Sequence, residues 1–188
     1  MTHFDLFSPG LADITYQPAS GRSYEDQEAI AAHPLTSPAS EWSEPEFVVH
    51  GHDENGRHLT PTRVLVVRSG YLAFHPDDIH TVDSLLSAFG EFLPIRTTRG
   101  RFLYFRPSEY LDGLDEIESG AKYFRDRKRI IRLRQVVLHN KRILSVGVFK
   151  LARAERGPVY YRNDVANALV ETGLFEGIEF QLEGWATI

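Results

Sequence analysis

The segment from Val146 to Phe180 constrains the fold more than any other part of the sequence. Residues 146–151 predict a strand, because a period of two divides their side chains between two faces. A break at Gly157 and Pro158 follows. Residues 159–161 then predict a short returning strand, since β-branched and aromatic residues favour extended backbone. Two strands therefore precede any helix in this segment.

A short helix with signals at both ends comes next. Asn163 suits the N-cap position, because its side-chain oxygen can accept an orphan amide of the first turn, and Asp164 favours the positive end of the helix dipole. Gly173 can adopt the left-handed conformation that ends many helices. The alternation of apolar and polar residues over 178–183 predicts a half-buried last strand. This order of elements indicates an α+β domain, and it contains no catalytic signature.

The first half of the chain supports the same fold class. Residues 76–90 predict a helix, with aspartates at its start, apolar residues at helical spacing and Gly90 as its stop. Residues 91–96 and 101–106 predict two paired strands with one solvated face. Residues 63–68 fit either a buried strand or a short helical turn. We expect a largely antiparallel, twisted sheet with about two helices packed on one face.

The N-terminal residues differ in composition from the remainder. Residues 1–40 hold four of the ten prolines and many small polar residues. We therefore predict an irregular N-terminal arm over residues 1–45, packed on a single α+β domain over residues 46–188. At the start of that domain, residues 47–59 predict a hairpin. A chain of 188 residues with 42% apolar residues is long enough for one such core.

Composition also limits the function classes. The chain has no cysteine, which excludes a disulfide framework, a thiol nucleophile and a thiolate metal site. The sequence shows neither a signal-like N-terminus nor an apolar run of about 18 residues, so we expect a cytoplasmic protein without a membrane partner. The net charge of −5 argues against a dedicated DNA binder and is compatible with a basic protein partner.

Two segments of opposite charge lie next to each other. The first, residues 108–119, predicts a loop with a helical turn and contains five carboxylates: Glu109, Asp112, Asp115, Glu116 and Glu118. The second predicts one long strand that ends near residue 139 and carries most of its basic residues on the outer face. Those basic residues are Lys122, Arg125, Arg127, Lys128, Arg129, Arg132 and Arg134. The carboxylates can pair with these arginines within the fold.

Three chemical alternatives follow from these residues. Paired carboxylates within 109–118 can serve a small hydrolase, although a solvated loop is the simpler interpretation. The basic run 122–134 can bind nucleic acid through phosphate contacts and stacking on Tyr123 and Phe124. His50 and His52 can share one face of a strand and ligate zinc, but a turn-rich context without a completing motif favours no metal and no cofactor.

Several segments taken in order resemble the immunity protein 11 family of bacterial polymorphic toxin systems, over about residues 64–180. They are DDIHTVDSLLSAFG, EFLPI, FLYFRP followed by YLDGLDEIES, VVLHNKRI, VFKL and VYYRNDVANALVETGLFEGIEF. The last one carries the most specific pattern, with Gly173, Gly177 and Phe180 at turn and core positions. In the first 60 residues only Trp42 matches, and the tail 183–188, which contains Trp185, departs from the family pattern.

The resemblance implies a non-enzymatic cytoplasmic protein that binds a cognate toxin domain and neutralises it by steric occlusion. The resemblance also implies that the toxin is delivered by contact-dependent or type VI secretion. We predict that a basic, nuclease-like toxin contacts the acidic loop, with two tryptophans as anchors. The predicted contact residues are Trp42, Asp112, Asp115, Glu116, Glu118 and Trp185. The alternatives are a nucleic-acid-binding module that uses the basic run or a small hydrolase that uses the acidic cluster or the His50/His52 pair.

Overall fold

The computed structural model of the chain describes residues 2–9, 16–18, 39–42, 44–49, 62–67, 70–125, 129–154 and 157–188. Within these ranges the chain forms two six-stranded sheets, a two-stranded hairpin and two short α-helices. The elements are β1 (His3–Pro9), β2 (Tyr16–Pro18), β3 (Glu46–Val49), β4 (Val64–Val67), β5 (Tyr71–Phe74), α1 (Ile79–Leu86), β6 (Gly90–Thr97), β7 (Gly100–Pro107), β8 (Tyr110–Leu111), β9 (Lys122–Tyr123), β10 (Ile130–Arg132), β11 (Val136–His139), β12 (Val148–Leu151), β13 (Tyr160–Arg162), α2 (Asn163–Glu171) and β14 (Phe180–Thr187).

The first sheet has the strand order β2-β3-β6-β7-β5-β4, and its one parallel pair is β3 with β6. The second sheet has the order β11-β14-β1-β13-β12-β8, with parallel pairs at its two ends and antiparallel pairs between them. The α+β prediction is confirmed. The strands divide between two sheets, where the sequence had suggested one.

Two apolar clusters hold these layers together. The first cluster contains inward residues of the first sheet, both helices and one face of the second sheet, where Val148 and Tyr161 lie. The second cluster covers the opposite face of the second sheet and includes Phe149, Tyr160 and Ile143. The centre of the second sheet is therefore buried on both faces, which explains why its strands are nearly continuous apolar runs.

The prediction of an irregular arm is wrong for the first described residues. Strand β1 lies in the centre of the second sheet, where it pairs with β14 from His3 opposite Thr187 to Pro9 opposite Phe180. On its other side it pairs with β13. Its partners lie more than 150 residues later in the chain, so no local pattern reveals them. Residues 10–15 and 19–38 of the predicted arm lie outside the described residues.

The predicted strands of the first half are largely confirmed. Strands β6 and β7 pair along their whole length, from Gly90 opposite Pro107 to Thr97 opposite Gly100. Residues 64–67, which fitted strand or helical turn, form the buried strand β4. Strand β3 begins where the hairpin 47–59 was predicted, and residues 50–59 of that hairpin lie outside the described residues.

Both predicted helices are present, but their ends differ in part from expectation. Gly90 begins β6 and does not end α1, which stops at Leu86. Asn163 is the first helical residue, and its Oδ1 is buried without a hydrogen-bond partner in the described structure, so the predicted cap is wrong. Arg162 Nε donates to Asp164 Oδ1 at 2.6 Å instead, and this lowers the pKa of Asp164. Gly173 has a φ of 74° and ends α2 as predicted.

The basic run does not form the one long strand that we predicted. It is divided among β9, β10 and β11, and β9 pairs with β10 as an antiparallel hairpin. The division after β10 follows from a backbone contact, because Arg134 N donates to Ser119 O at 3.0 Å and the chain turns there. No helix among the described residues is long and apolar enough to cross a membrane.

Candidate functional site: the acidic loop

The acidic loop, residues 112–120, lies against the outer edge of the second sheet. Asp115 N donates to Val137 O and His139 N donates to Gly113 O, both at 2.8 Å, and Leu114 forms a bridge with Leu138. Gly113 allows this approach, because its φ is 94° and a Cβ there would lie 2.4 Å from the carbonyl oxygen of His139. The loop therefore covers the edge strand β11 and takes its position from that strand.

Asp115 organises the turn at the end of the loop. Its Oδ1 accepts hydrogen bonds from Ile117 N at 3.1 Å and from Glu118 N at 2.9 Å. Ser119, which is fully buried, accepts a bond from Val137 N on its Oγ at 3.0 Å. A side-chain acceptor at the start of a turn satisfies amides that would otherwise need water. The turn thus has a defined shape, and Ile117 at its apex is 93% exposed.

The carboxylates of the loop have different surroundings. Glu116 forms an ion pair with Arg153, whose guanidinium lies 5.2 Å from the ring centre of Tyr123. Burial and the Glu116 carboxylate raise the pKa of Tyr123. Asp112 and Glu118 are exposed, and no described side chain forms an ion pair with either of them. These two carboxylates extend the negative potential of the loop towards solvent.

His139 joins the loop from strand β11. Its Nε2 lies 3.8 Å from Asp115 Oδ2, and a ligand atom from each of Asp115, Glu118 and His139 falls within 4.8 Å of the others. His139 was not among the predicted site residues. It is 24 residues from Asp115 in the chain, and only the pairing of the loop with β11 brings the two together.

The two tryptophans lie apart from each other. Trp42 Nε1 donates to Pro94 O at 2.8 Å and its ring stacks on Tyr104 at 5.9 Å, so this side chain packs against the first core cluster. Trp185 is half-buried on β14, next to β11, and its ring stacks on His3. Of the two predicted anchors, Trp185 is the one near the acidic loop, because its strand β14 pairs with β11, which supports the loop.

The basic residues lie on an exposed hairpin beside the loop. The described members are exposed, and they are Lys122, Arg125, Arg129, Arg132 and Arg134. Arg127 lies outside the described residues. We suggested that the acidic segment can pair with these arginines, yet Glu116 pairs with Arg153 and Glu109 pairs with Arg142. Arg129 stacks on Phe124 at 4.9 Å.

A groove of about 240 Å³ runs between the segment 130–136 and strand β13. Arg132 and Arg134 line one part of it, and Tyr160 and Glu183 line another. Glu183 Oε1 accepts a hydrogen bond from Ser8 Oγ at 2.8 Å, and burial raises the pKa of Tyr160. The described lining therefore combines positive charge on one side with a phenol and a carboxylate on the other.

One buried polar contact escaped the sequence analysis. Lys150 is 1% exposed, and its Nζ donates to Tyr71 Oη at 2.6 Å, which links β12 of the second sheet to β5 of the first. Tyr71 stacks on Tyr104 at 5.1 Å, and burial raises the pKa of both phenols well above the ordinary value. The sequence did contain a signal for this contact, since a lysine within the apolar segment VFKL indicates a buried polar group. Its burial makes this contact structural.

No protein-family model matches the chain, and no curated protein matches it. The resemblance to the immunity protein 11 family therefore stays a prediction. The residues of the His50/His52 pair lie outside the described part of the chain, as does His58.

Proposed function

We propose that this chain is an immunity protein that binds a basic toxin domain through the acidic loop and neutralises the toxin by steric occlusion in the cytoplasm of the producing cell. One observation carries the proposal: the loop is held in a defined shape at a sheet edge while Ile117, Asp112 and Glu118 remain open to solvent. The family resemblance supplies the class of partner.

The shape of the loop supports tight association. Because Asp115 and Ser119 already fix the turn, binding does not have to order it, and less conformational entropy is lost on association. An exposed apolar side chain surrounded by charged groups matches the usual anatomy of an interface, with an apolar centre and a polar rim. Ile117 is the candidate centre, and Asp112 and Glu118 belong to the rim.

The charge of the loop supports a basic partner. Carboxylates at an interface rim accelerate encounter with a positively charged surface more than they strengthen the final complex. The loop alone is smaller than a stable interface, which buries about 1,600 Å² in total. We propose that the flanking surface around Trp185 and the end of β14 completes the contact.

The test uses the variable C-terminal domain of a large secreted protein encoded immediately upstream, if the neighbouring reading frame encodes one. The full chain is expected to co-purify with that domain and to rescue cells that express it. The double variant Asp112→Lys/Glu118→Lys is expected to slow association at least about tenfold at low salt, because steering depends on these charges. Glu171→Lys/Glu176→Lys, on an exposed part of the α2 region, is the matched control for net charge.

Two outcomes would contradict the proposal in different ways. Failure of the wild-type chain to bind the neighbouring domain and to rescue cells would remove the immunity function. Unchanged association and protection in the loop variant, with the control variant equally active, would keep an immunity function but remove the loop as its contact.

A nucleic-acid-binding module is the second candidate, and the exposed basic hairpin favours it. No described side chain forms an ion pair with Lys122, Arg125, Arg132 or Arg134. Such residues can neutralise phosphates, and Phe124 and Tyr123 lie nearby. Binding of a single-stranded oligonucleotide that weakens steeply with salt, and that is lost in Arg132→Glu/Arg134→Glu, would support this function over the first.

A further inference from the structure

We infer that Asp115, Glu118 and His139 form a binding site for a divalent transition-metal cation such as Zn²⁺. Two carboxylates and one imidazole supply the donors, and their ligand atoms lie within 4.8 Å of one another. The site uses residues of the acidic loop, but it does not depend on the proposed toxin contact. Its test needs only the purified chain and metal.

The geometry of the turn leaves one carboxylate oxygen of Asp115 available to a ligand. Oδ1 is occupied by the amides of Ile117 and Glu118, so the carboxylate cannot rotate without breaking two hydrogen bonds. Oδ2 is the atom that faces His139, at 3.8 Å from Nε2. A separation of 3.8 Å is too long for a hydrogen bond. It is close to the distance between two ligands that share one cation, since metal bonds of about 2.0–2.2 Å at the tetrahedral angle place neighbouring donors about 3.3–3.6 Å apart.

His139 is oriented from outside the cluster. Its Nδ1 lies 2.8 Å from Thr187 Oγ1 on the adjacent strand β14, in register with it. Thr187 is buried, so this contact fixes the ring and directs Nε2 towards the two carboxylates. Metal-binding histidines usually have their second ring nitrogen held in this way, because the outer contact sets the orientation of the ring.

Glu118 supplies the third donor from the exposed side. Both polar groups of its backbone are hydrogen-bonded. The amide donates to Asp115 Oδ1, and the carbonyl oxygen accepts a bond from Gln135 Nε2 at 3.1 Å. Its side chain is exposed and forms no ion pair with any residue in the described ranges. It can therefore turn towards a cation without losing an ion pair.

The donor set selects the class of cation. Imidazole nitrogen with carboxylate oxygen suits Zn²⁺ and its first-row neighbours, whereas Mg²⁺ and Ca²⁺ prefer sites built from oxygen alone. Affinity for a given mixed site rises from Mn²⁺ through Ni²⁺ to Cu²⁺ and is lower again for Zn²⁺, which still binds more tightly than Mn²⁺. We therefore expect the order Zn²⁺ over Mn²⁺ over Mg²⁺. Three protein donors leave at least one coordination position to water.

The test is calorimetric titration of the full chain with ZnCl₂ after treatment with a chelator, with tags removed. Wild type is expected to bind one Zn²⁺ at this site and to melt at a higher temperature when it is bound. His139→Gln, Glu118→Gln and Asp115→Asn are each expected to lose at least about tenfold in affinity. Asp115→Asn keeps an oxygen for the turn amides, and Glu118→Gln changes an exposed side chain, so both variants should fold.

Two further variants separate a built site from general metal binding. Thr187→Val removes the outer contact of His139 and is expected to weaken Zn²⁺ binding about tenfold while the ligands stay in place. His3→Gln removes another histidine that pairs with an aspartate, at 2.9 Å from Asp5, and should not alter the affinity. His50→Gln/His52→Gln tests the histidine pair that lies outside the described residues and should likewise leave this site intact.

Three results would overturn the inference. The first is the absence of saturable Zn²⁺ binding by wild type up to a metal concentration of about 100 micromolar, which is roughly the dissociation constant of a weak surface site. The second is binding that persists unchanged in Glu118→Gln and in His139→Gln. The third is binding that is lost in His50→Gln/His52→Gln, which would assign the metal to that pair. None of these measurements involves the toxin domain, so the site and the proposed function fail independently.

Discussion

The acidic loop and the buried Lys150 place charged groups on the same sheet with opposite consequences. Lys150 lies on β12, and its ammonium donates to Tyr71 across the space between the two sheets. The loop lies at the edge of the sheet formed by β11, and two of its carboxylates, Asp112 and Glu118, face solvent without an ion pair in the described structure. A buried charge must be paired to be tolerated, whereas an exposed one remains available to a partner. The comparison separates polar groups that hold the fold from those that can serve binding.

The largest expected effect concerns the buried lysine. Lys150→Ala removes the donor to Tyr71 Oη and leaves a cavity between the sheets, so the free energy of unfolding should fall by about 3 kcal/mol. Lys150→Met keeps most of the volume and should lose roughly half as much. Urea unfolding followed by tryptophan fluorescence measures both changes. The matched control is Lys122→Ala, which changes an exposed lysine and should stay within about 0.5 kcal/mol of wild type.

If Lys150→Ala and Lys122→Ala had equal effects, the buried contact would not hold the two sheets together. The comparison between the buried and the exposed charge would then lose its basis.

Local patterns in the sequence predicted the elements whose partners are close in the chain. Strands β6 and β7 are joined by a tight turn, and α2 ends at Gly173, so propensity and periodicity suffice for both. Among the described strands, β1 pairs with β13 and β14, which come from the C-terminal part of the chain. Its central position depends on contacts that no window of the sequence contains.

Side-chain direction was predicted less well than strand position. The alternation over residues 178–183 predicts Leu182 on the same buried face as Phe180, but Leu182 is 63% exposed. Further along the strand, the register between β1 and β14 shifts between Leu6 and Phe7 and skips Glu183, so residues from Gly184 onward change face relative to Phe180 and Leu182. A strict period of two cannot anticipate such a shift.

The candidate site was predicted in part. The acidic segment is a loop with a turn, as its composition indicated. Its shape was not predictable, because the loop depends on Ser119 and on backbone groups of β11. The same pairing introduces His139. Trp42, predicted as a binding anchor, donates to Pro94 and packs on the core, and this contact was not visible in the sequence.

The contact between the loop and the sheet is the second place to test the comparison. Ser119→Ala removes the acceptor of Val137 N, and a buried amide without a partner costs about 1–3 kcal/mol. We expect a decrease of about 2 kcal/mol in the free energy of unfolding. The Val137 amide should also exchange with deuterium faster in hydrogen-exchange measurements. The control is Ser145→Ala, which changes an exposed serine between β11 and β12 of the same sheet.

The turn itself should contribute less. Asp115→Ala removes the acceptor for two amides, and the loss of such a side-chain cap is worth about 1 kcal/mol. Asp115→Asn retains an acceptor oxygen and should change the free energy of unfolding by less than about 0.5 kcal/mol. Thermal unfolding in the presence of a chelator compares the two variants without metal. Equal destabilisation would mean that the negative charge, not the hydrogen bonding, shapes the turn.

The smallest expected effect on stability is the most informative about function. Ile117→Ser changes a side chain that is 93% exposed, so the free energy of unfolding should stay within about 0.5 kcal/mol of wild type. Its effect on binding should be larger, because an apolar residue at the centre of an interface often contributes more than about 1 kcal/mol. Titration of the variant with the proposed toxin domain measures that loss, and Leu144→Ser, at another exposed apolar residue, is the control. A loss of stability without a loss of affinity would show that Ile117 belongs to the fold, and the exposed loop would then resemble the buried lysine in its role.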